Sequence, residues 1–223
     1  MNEDALDQFA LSAAPSADCS LCPRLVQFRT DNHHKFPDWH NAPVPAFGPA
    51  TAKILVVGLA PGLKGANRTG RPFTGDYAGD LLYPSLLKFG LAEGAYGASV
   101  DDGLKLTRCR ITNAVRCVPP ANKPTPEEQK TCRGFLAAEI KAMPHLTSIL
   151  ALGRIAHDAV LSTLGLRKAL YPFAHNALHS FDKKLTMIDS YHCSRYNVNT
   201  KVLTEAMFHD AVETAIKATR KAT

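Results

Sequence analysis

The 223-residue chain holds a single tryptophan, and no run of it approaches the roughly 18 consecutive apolar residues that a membrane-spanning helix needs. It has no internal repeat and no low-complexity tract, which excludes a solenoid, a fibre and a disordered tail. The opening stretch MNEDALDQFALSAAPSADC is acidic and lacks a basic segment followed by an apolar one, so a cytoplasmic location is expected, with no membrane partner. Acid is missing altogether between Lys53 and Arg71. What is present is ordinary for a globular protein. With 45% hydrophobic and 21% charged residues, the chain can bury a core as one domain spanning 1–223.

Lys and Arg outnumber Asp and Glu by 26 to 20, giving a formal charge of +6. Residues 104–133 carry Lys105, Arg108, Arg110, Arg116, Lys123, Lys130 and Arg133 against Glu127 and Glu128. Such a run is as readily a solvated face as a surface for nucleic acid or phosphate.

Six cysteines are present. In a cytoplasmic chain disulfides are the lesser use. Cys19 and Cys22 form a C-x2-C pair, and Cys117 and Cys132 a C-x14-C pair across a proline-rich loop. Four thiolates from two distant segments can close a tetrahedral site for zinc or an iron–sulfur cluster, both of which take soft ligands. Cys109 and Cys193 are read as lone thiols.

Residues 31–50, rich in Pro, His and Asn, read as an irregular end to an N-terminal arm covering 1–50. Beyond it, 53–58 (KILVVG), 110–115 (RITNAV), 148–152 (SILAL) and 184–189 (KLTMID) are short apolar runs that suit buried strands. Helical patterns occupy 79–90, 126–142 and 154–164, and a fourth begins near Asn199 or Thr200. Thr125, Pro126 and Glu128 form a capping box with proline in the first turn. Alternating strand and helix predict a three-layer α/β/α sandwich around a mostly parallel four-stranded sheet. Ligands gather at the carboxyl ends of such strands, which brings the segments after Gly58, after Val115 and after Asp189 to one rim.

The first rim segment, 58–76, repeats glycine and adds Lys64, Arg68 and Arg71, but matches neither a Walker A loop nor a dinucleotide fingerprint. The last, 190–197 (SYHCSRYN), sets His192 just past a strand end. Together, Gly58-Leu-Ala-Pro-Gly, Asn67-Arg-Thr-Gly-Arg-Pro-Phe-Thr-Gly-Asp76, Thr112-Asn-Ala-Val-Arg-Cys117 and His192-x-Ser194-x-x-Asn197 resemble the uracil-DNA glycosylase superfamily, in particular its iron–sulfur-containing family 5. The resemblance spans about residues 19–204. Cys193 stands where the closing motif commonly carries proline.

This likeness implies a DNA repair glycosylase that flips uracil, and other deaminated bases such as hypoxanthine, out of the helix and hydrolyses the N-glycosidic bond. Phe73 is then the stacking platform, Asn113 reads the base edge, and His192 stabilises the departing base. Gly58, Ala60, Pro61, Gly62, Asn67, Ser194, Arg195, Tyr196 and Asn197 are the expected DNA or base contacts, with Arg195 or Tyr196 filling the vacated stack. Other branches orient the water with Asp or Asn at the position of Ala60; here Asp76 is the candidate, with Asn67 second. Cys19, Cys22, Cys117 and Cys132 are expected to hold a structural [4Fe–4S] cluster, ahead of zinc, in a monomer. The rival reading is a damaged-DNA-binding module without catalysis. A family-4 enzyme would need an acid soon after Gly62, and 62–75 contains none.

Overall fold

The computed structural model describes residues 3–12, 14–181 and 184–221. Its strands are β1 (Ile54–Gly58), β2 (Ala92–Glu93), β3 (Lys105–Leu106), β4 (Cys109–Asn113), β5 (Ser148–Leu152), β6 (Leu178–Ser180) and β7 (Thr186–Ser190). Its helices are α1 (Glu3–Ser12), α2 (Pro23–Lys35), α3 (Ala66–Thr69), α4 (Tyr77–Lys88), α5 (Pro126–Ala142), α6 (Arg154–Thr163), α7 (Arg195–Asn199) and α8 (Glu205–Lys221). The main sheet runs β4-β1-β5-β7-β6; the first four strands are parallel and β6 is antiparallel to β7. No described helix is long and apolar enough to cross a membrane.

The period-two geometry of the strands builds both cores at once. Ile54, Val56, Ile111, Leu150, Leu152 and Ile188 point to one face, where Leu82, Leu86, Phe208, Val212 and Ala215 of α4 and α8 cover them. Leu55, Val57, Ile149, Ala151 and Met187 point the other way, against Leu136 of α5 and Ala156, Val160 and Leu161 of α6. The three layers expected from the sequence are therefore present. The capping box opens α5 as expected: Thr125 Oγ accepts from the Glu128 amide at 3.2 Å, and Glu128 Oε2 accepts from the Thr125 amide at 2.7 Å.

Three expectations need correction. The sheet has five strands rather than four; β6 contributes only His179 to the interior, so no apolar run marks it. The arm is more helical than expected, since α2 continues to Lys35 on a buried face of Leu25, Arg29 and Asn32 that shows little apolar period. Lastly, α8 starts at Glu205. Lys201, at a φ of 58°, separates it from the short α7.

The basic run 104–133 divides on folding. Arg110 and Arg116 turn inward onto one carboxylate of α5: Arg110 Nε donates to Glu139 Oε1 at 2.5 Å and Arg116 Nη2 to Glu139 Oε2 at 2.7 Å, with all three side chains buried. Arg110 also donates to the Gly48 carbonyl. These cations hold β4 and its following loop against α5 and do not face solvent. Removing the shared anion leaves two uncompensated buried charges, which costs about 3–5 kcal/mol. Glu139→Ala is thus expected to lower the thermal unfolding midpoint by about 10 °C; a shift of only a degree or two would show that the triad contributes no net stability.

Candidate active site

β1 and β4 run in parallel with Gly58 opposite Asn113, so both end level at the carboxyl edge of the sheet. Gly58 is the floor. A Cβ there would stand 2.5 Å from Asn113 Oδ1 and 2.5 Å from Phe73 Cζ, a separation real Cβ atoms do not tolerate, so only glycine lets carboxamide and ring meet above it. Phe73 has a φ of 54°, a strained value for a residue with a side chain. Its neighbours enforce that conformation: the Tyr83 hydroxyl donates to the Pro72 carbonyl at 2.5 Å and the Tyr96 hydroxyl to the Phe73 carbonyl at 3.4 Å.

His192 reaches the same place from two residues beyond β7. Its backbone rests over Gly153, where a Cβ would lie 3.4 Å from His192 Cβ, and its carbonyl accepts from Asn197 Nδ2 at 2.8 Å. The imidazole and the Phe73 ring have centroids 6.1 Å apart, tilted by 32°. Burial pushes the His192 pKa down to about 4, so at neutral pH the ring is uncharged and offers one N–H and one lone pair.

Asp76 caps α4 from the end of the glycine loop, its Oδ1 accepting from the Gly79 amide at 3.3 Å. The loop folds over the other oxygen; a Cβ on Gly65 would stand 2.4 Å from Asp76 Oδ2. Desolvation raises the Asp76 pKa, and the amides of Gly79 and Ala78 oppose it.

Phe73, Asp76, Asn113 and His192 line one cavity of about 370 Å³, together with Ala60, Pro61, Gly62, Ser194 and Arg195. One atom in it stands out. Asn113 Oδ1 is buried and has no hydrogen-bond partner among the described residues, a state that a protein interior rarely leaves unfilled. Tyr77 and Asn122 also line the cavity, and the sequence analysis missed both. Asn122 follows Ala121, and both have a positive φ (54° and 56°) in the proline-rich loop after β4. A strained pair beside a cavity is a functional signal, but backbone angles are not written in residue spacing. Tyr77 is found through Arg195, whose guanidinium lies 5.2 Å from the centre of its ring.

Other expected contacts lie elsewhere. Gly58, as the floor under Asn113 and Phe73, is not itself among the residues that line the cavity. Asn67 is fully buried outside the cavity, its Nδ2 donating to Asn41 Oδ1 at 2.9 Å, and so ties the arm to the loop. Asn197 clamps the His192 carbonyl instead of lining the cavity. Tyr196 is 73% exposed on α7, also off the lining. Arg71 of the basic loop is internal, bidentate to Asp102 at 2.9 and 2.7 Å and packed on the rings of Phe47, Tyr83 and Tyr96.

Cys19, Cys22, Cys117 and Cys132 share a second, small chamber between α2, α5 and the loop after β4, with Leu25 and Phe135 as apolar walls. The Arg116 amide points at Cys132 Sγ from 3.4 Å. Burial pushes the Cys117 thiol up to about 12 and raises those of Cys22 and Cys132. The two halves of the chamber are pinned by Arg24, bidentate to Glu128 at 2.7 Å through both nitrogens.

The family model described as the uracil DNA glycosylase superfamily matches residues 45–215, a span that holds every group lining the cavity. The chain belongs to the uracil-DNA glycosylase superfamily. Within it, the chain is 46% identical over 196 residues to the type-5 uracil-DNA glycosylase of Thermus thermophilus, covering 85% of this chain and 89% of that protein. It is 39% identical to the type-5 enzyme of Pyrobaculum aerophilum, covering 92% and 88%, and 39% identical to that of Mycobacterium bovis, covering 89% and 77%. These matches place the glycosylase in the type-5 branch.

A neutral His192 has a measurable signature. Its folded-state pKa lies below the unfolded value near 6.5, so the unfolded chain binds the proton first and stability falls as pH drops from about 6.5 toward 4. Followed by NMR, the His192 ring of this glycosylase should stay neutral until pH nears 4; titration near 6.5 would show that the cavity does not desolvate it.

Proposed function

We propose that this chain removes uracil from DNA by hydrolysing its N-glycosidic bond and leaves an abasic site. The observation that carries the reading is the orphaned Asn113 Oδ1, set beside an aromatic platform and across the cavity from an uncharged imidazole. A uracil stacked on Phe73 fits this donor set: its N3–H satisfies Asn113 Oδ1, its O4 accepts from Asn113 Nδ2, and its O2 accepts from His192. As the C1′–N1 bond breaks, its electron pair leaves with the base, and the His192 N–H stabilises the resulting anion without itself carrying charge. Water then adds to C1′ of the sugar cation.

The Ala60 side chain offers that water no polar atom, and Asn67 lies outside the cavity. Asp76 therefore orients the water and takes its proton, and Asn122 is a further polar residue of the same lining. Ser194 and the glycine-loop amides hold the flanking phosphates. Tyr196, exposed and off the cavity wall, is the better placed to fill the gap in the stack, since Arg195 is engaged with Tyr77. The methyl group of Ala60 leaves room for bulkier deaminated bases such as hypoxanthine. The chain is proposed to act as a monomer working on DNA in the cytoplasm.

Cys19, Cys22, Cys117 and Cys132 are the proposed ligands of a [4Fe–4S] cluster. It would tie α2 to α5 and brace the loop bearing Asn122, away from the bond that breaks. The reading is supported by the donor set: four thiols, with Leu25 and Phe135 as apolar walls, line one small chamber and offer the soft ligands such a cluster takes.

The direct test is a duplex with one uracil: free base and an alkali-labile strand should appear, whereas a binding module would retain the lesion intact. Asp76→Asn keeps the helix cap, because asparagine caps as well as aspartate, yet removes the base. Its single-turnover rate should fall at least about tenfold; an unchanged rate would remove Asp76 from the mechanism. The purified protein should be brown and absorb at about 400 nm with stoichiometric iron; colourless protein with one zinc would refute the cluster.

A further inference from the structure

Behind His192 and outside the cavity, three titratable side chains meet that the chemistry above does not use. His157 of α6, His179 of β6 and Asp189 of β7 are all buried. Asp189 divides its carboxylate between the two imidazoles: Oδ1 lies 2.7 Å from His157 Nδ1 and Oδ2 lies 2.9 Å from His179 Nε2. The far nitrogen of His157, Nε2, lies 2.9 Å from the Tyr171 carbonyl oxygen. A carbonyl only accepts, so Nε2 carries a hydrogen. A neutral His157 would then aim a bare lone pair at a carboxylate oxygen 2.7 Å away, and two acceptors repel at that distance. Something positive stands between them. The separations are hydrogen-bond lengths, whereas two ligands of a tetrahedral zinc at about 2.1 Å stand about 3.4 Å apart. A proton fits the gap and a metal does not. His175 shows the contrasting case. Its Nδ1 accepts from the Tyr191 amide at 3.2 Å and its Nε2 donates to the Met207 carbonyl at 3.1 Å, a complete set of bonds for a neutral ring.

We infer that His157 is a buried imidazolium paired with Asp189, and that this pair is the positioning element for His192. The connection is short. Gly153, at the head of α6, donates its amide to the Ser190 carbonyl at 2.7 Å and accepts from the His157 amide at 3.1 Å. Ser190 directly follows Asp189, and Gly153 is the seat over which His192 rests. The ion pair thus locks the first turn of α6 to the end of β7 under the imidazole that meets the base. The other charged or titratable groups around it are His179 on β6, the ring of Tyr171 against His179, Arg154 over Phe173 on the α6 side, and Asp158, which turns out to Lys168 at 3.6 Å.

The inference rests on the role proposed for His192, so its test has two separable arms. In ¹⁵N-labelled protein at neutral pH, long-range proton–nitrogen spectra should show hydrogen on both ring nitrogens of His157 and on only one of His175. A bare nitrogen on His157, or a metal bound to it, overturns the ion pair whatever the enzyme does. The second arm is single-turnover release of uracil by His157→Asn, which keeps an N–H donor near the Nδ1 position, and His157→Phe, which has none. The phenylalanine variant should lose at least about tenfold in maximal rate, at half-saturating DNA within about twofold of wild type. The asparagine variant should recover most of that rate. Equal rates in wild type and His157→Phe, or equal losses in both variants, overturn the positioning role. No uracil release by wild type would refute the activity reading instead, and the spectrum alone would then judge the pair.

Discussion

The site depends on a side chain that is not there. Gly58 ends β1 beside Asn113, and the space its Cβ would fill is where the Asn113 carboxamide and the edge of Phe73 come together. Parallel pairing fixes the height of both strand ends, the loop returns Phe73 in a strained conformation, and His192 descends from β7 two strands away. None of these groups is near another in the chain. The sheet's carboxyl edge converts three distant segments into one cavity, and the bare backbone at Gly58 lets it close around a planar ring.

Burial then decides what each polar group is. In the cavity it strips His192 of charge, so the imidazole donates a hydrogen bond without attracting the DNA as a cation would. Deeper in the protein the same low dielectric is met by pairing. Arg71 is matched by Asp102, and Arg110 and Arg116 by Glu139; all three arginines are framework, holding the glycine loop and β4 in place. The excess of positive charge therefore says less about DNA than its count suggests. The cations left for a phosphate backbone are those outside these pairs, such as Arg195 at the cavity mouth.

The layers were legible because strand alternation and the Thr125 capping box are local patterns, and each falls where the physics of a buried strand or a helix start puts it. Phe73, Asn113, Asp76 and His192 were legible through motifs, and the structure gathers all four in one cavity. Other features were not. β6 has one inward residue and no period; the inward turn of Arg110 and Arg116 depends on Glu139, more than 20 residues further along the chain; and Asn122 takes its place from a left-handed pair of backbone angles. Asn67 and Asn197 misled in the other direction. Both sit inside motif-like segments, yet one ties the arm to the loop and the other holds the His192 carbonyl. Motif membership located the neighbourhood, and hydrogen-bond accounting was needed to tell contact from support.

A single methyl group tests the dependence of the site on Gly58. The atoms that a Cβ would meet there are the ends of the Asn113 and Phe73 side chains, so Gly58→Ala can fold only by displacing the two groups that would grip the base. Single-turnover uracil release by folded Gly58→Ala, compared with wild type, is therefore the most direct measurement. Loss of at least about a hundredfold in rate, with a native-like unfolding transition, is the result expected if carboxamide and ring must meet over a bare floor. Release at the wild-type rate would contradict the account, because it would mean the base is held somewhere else.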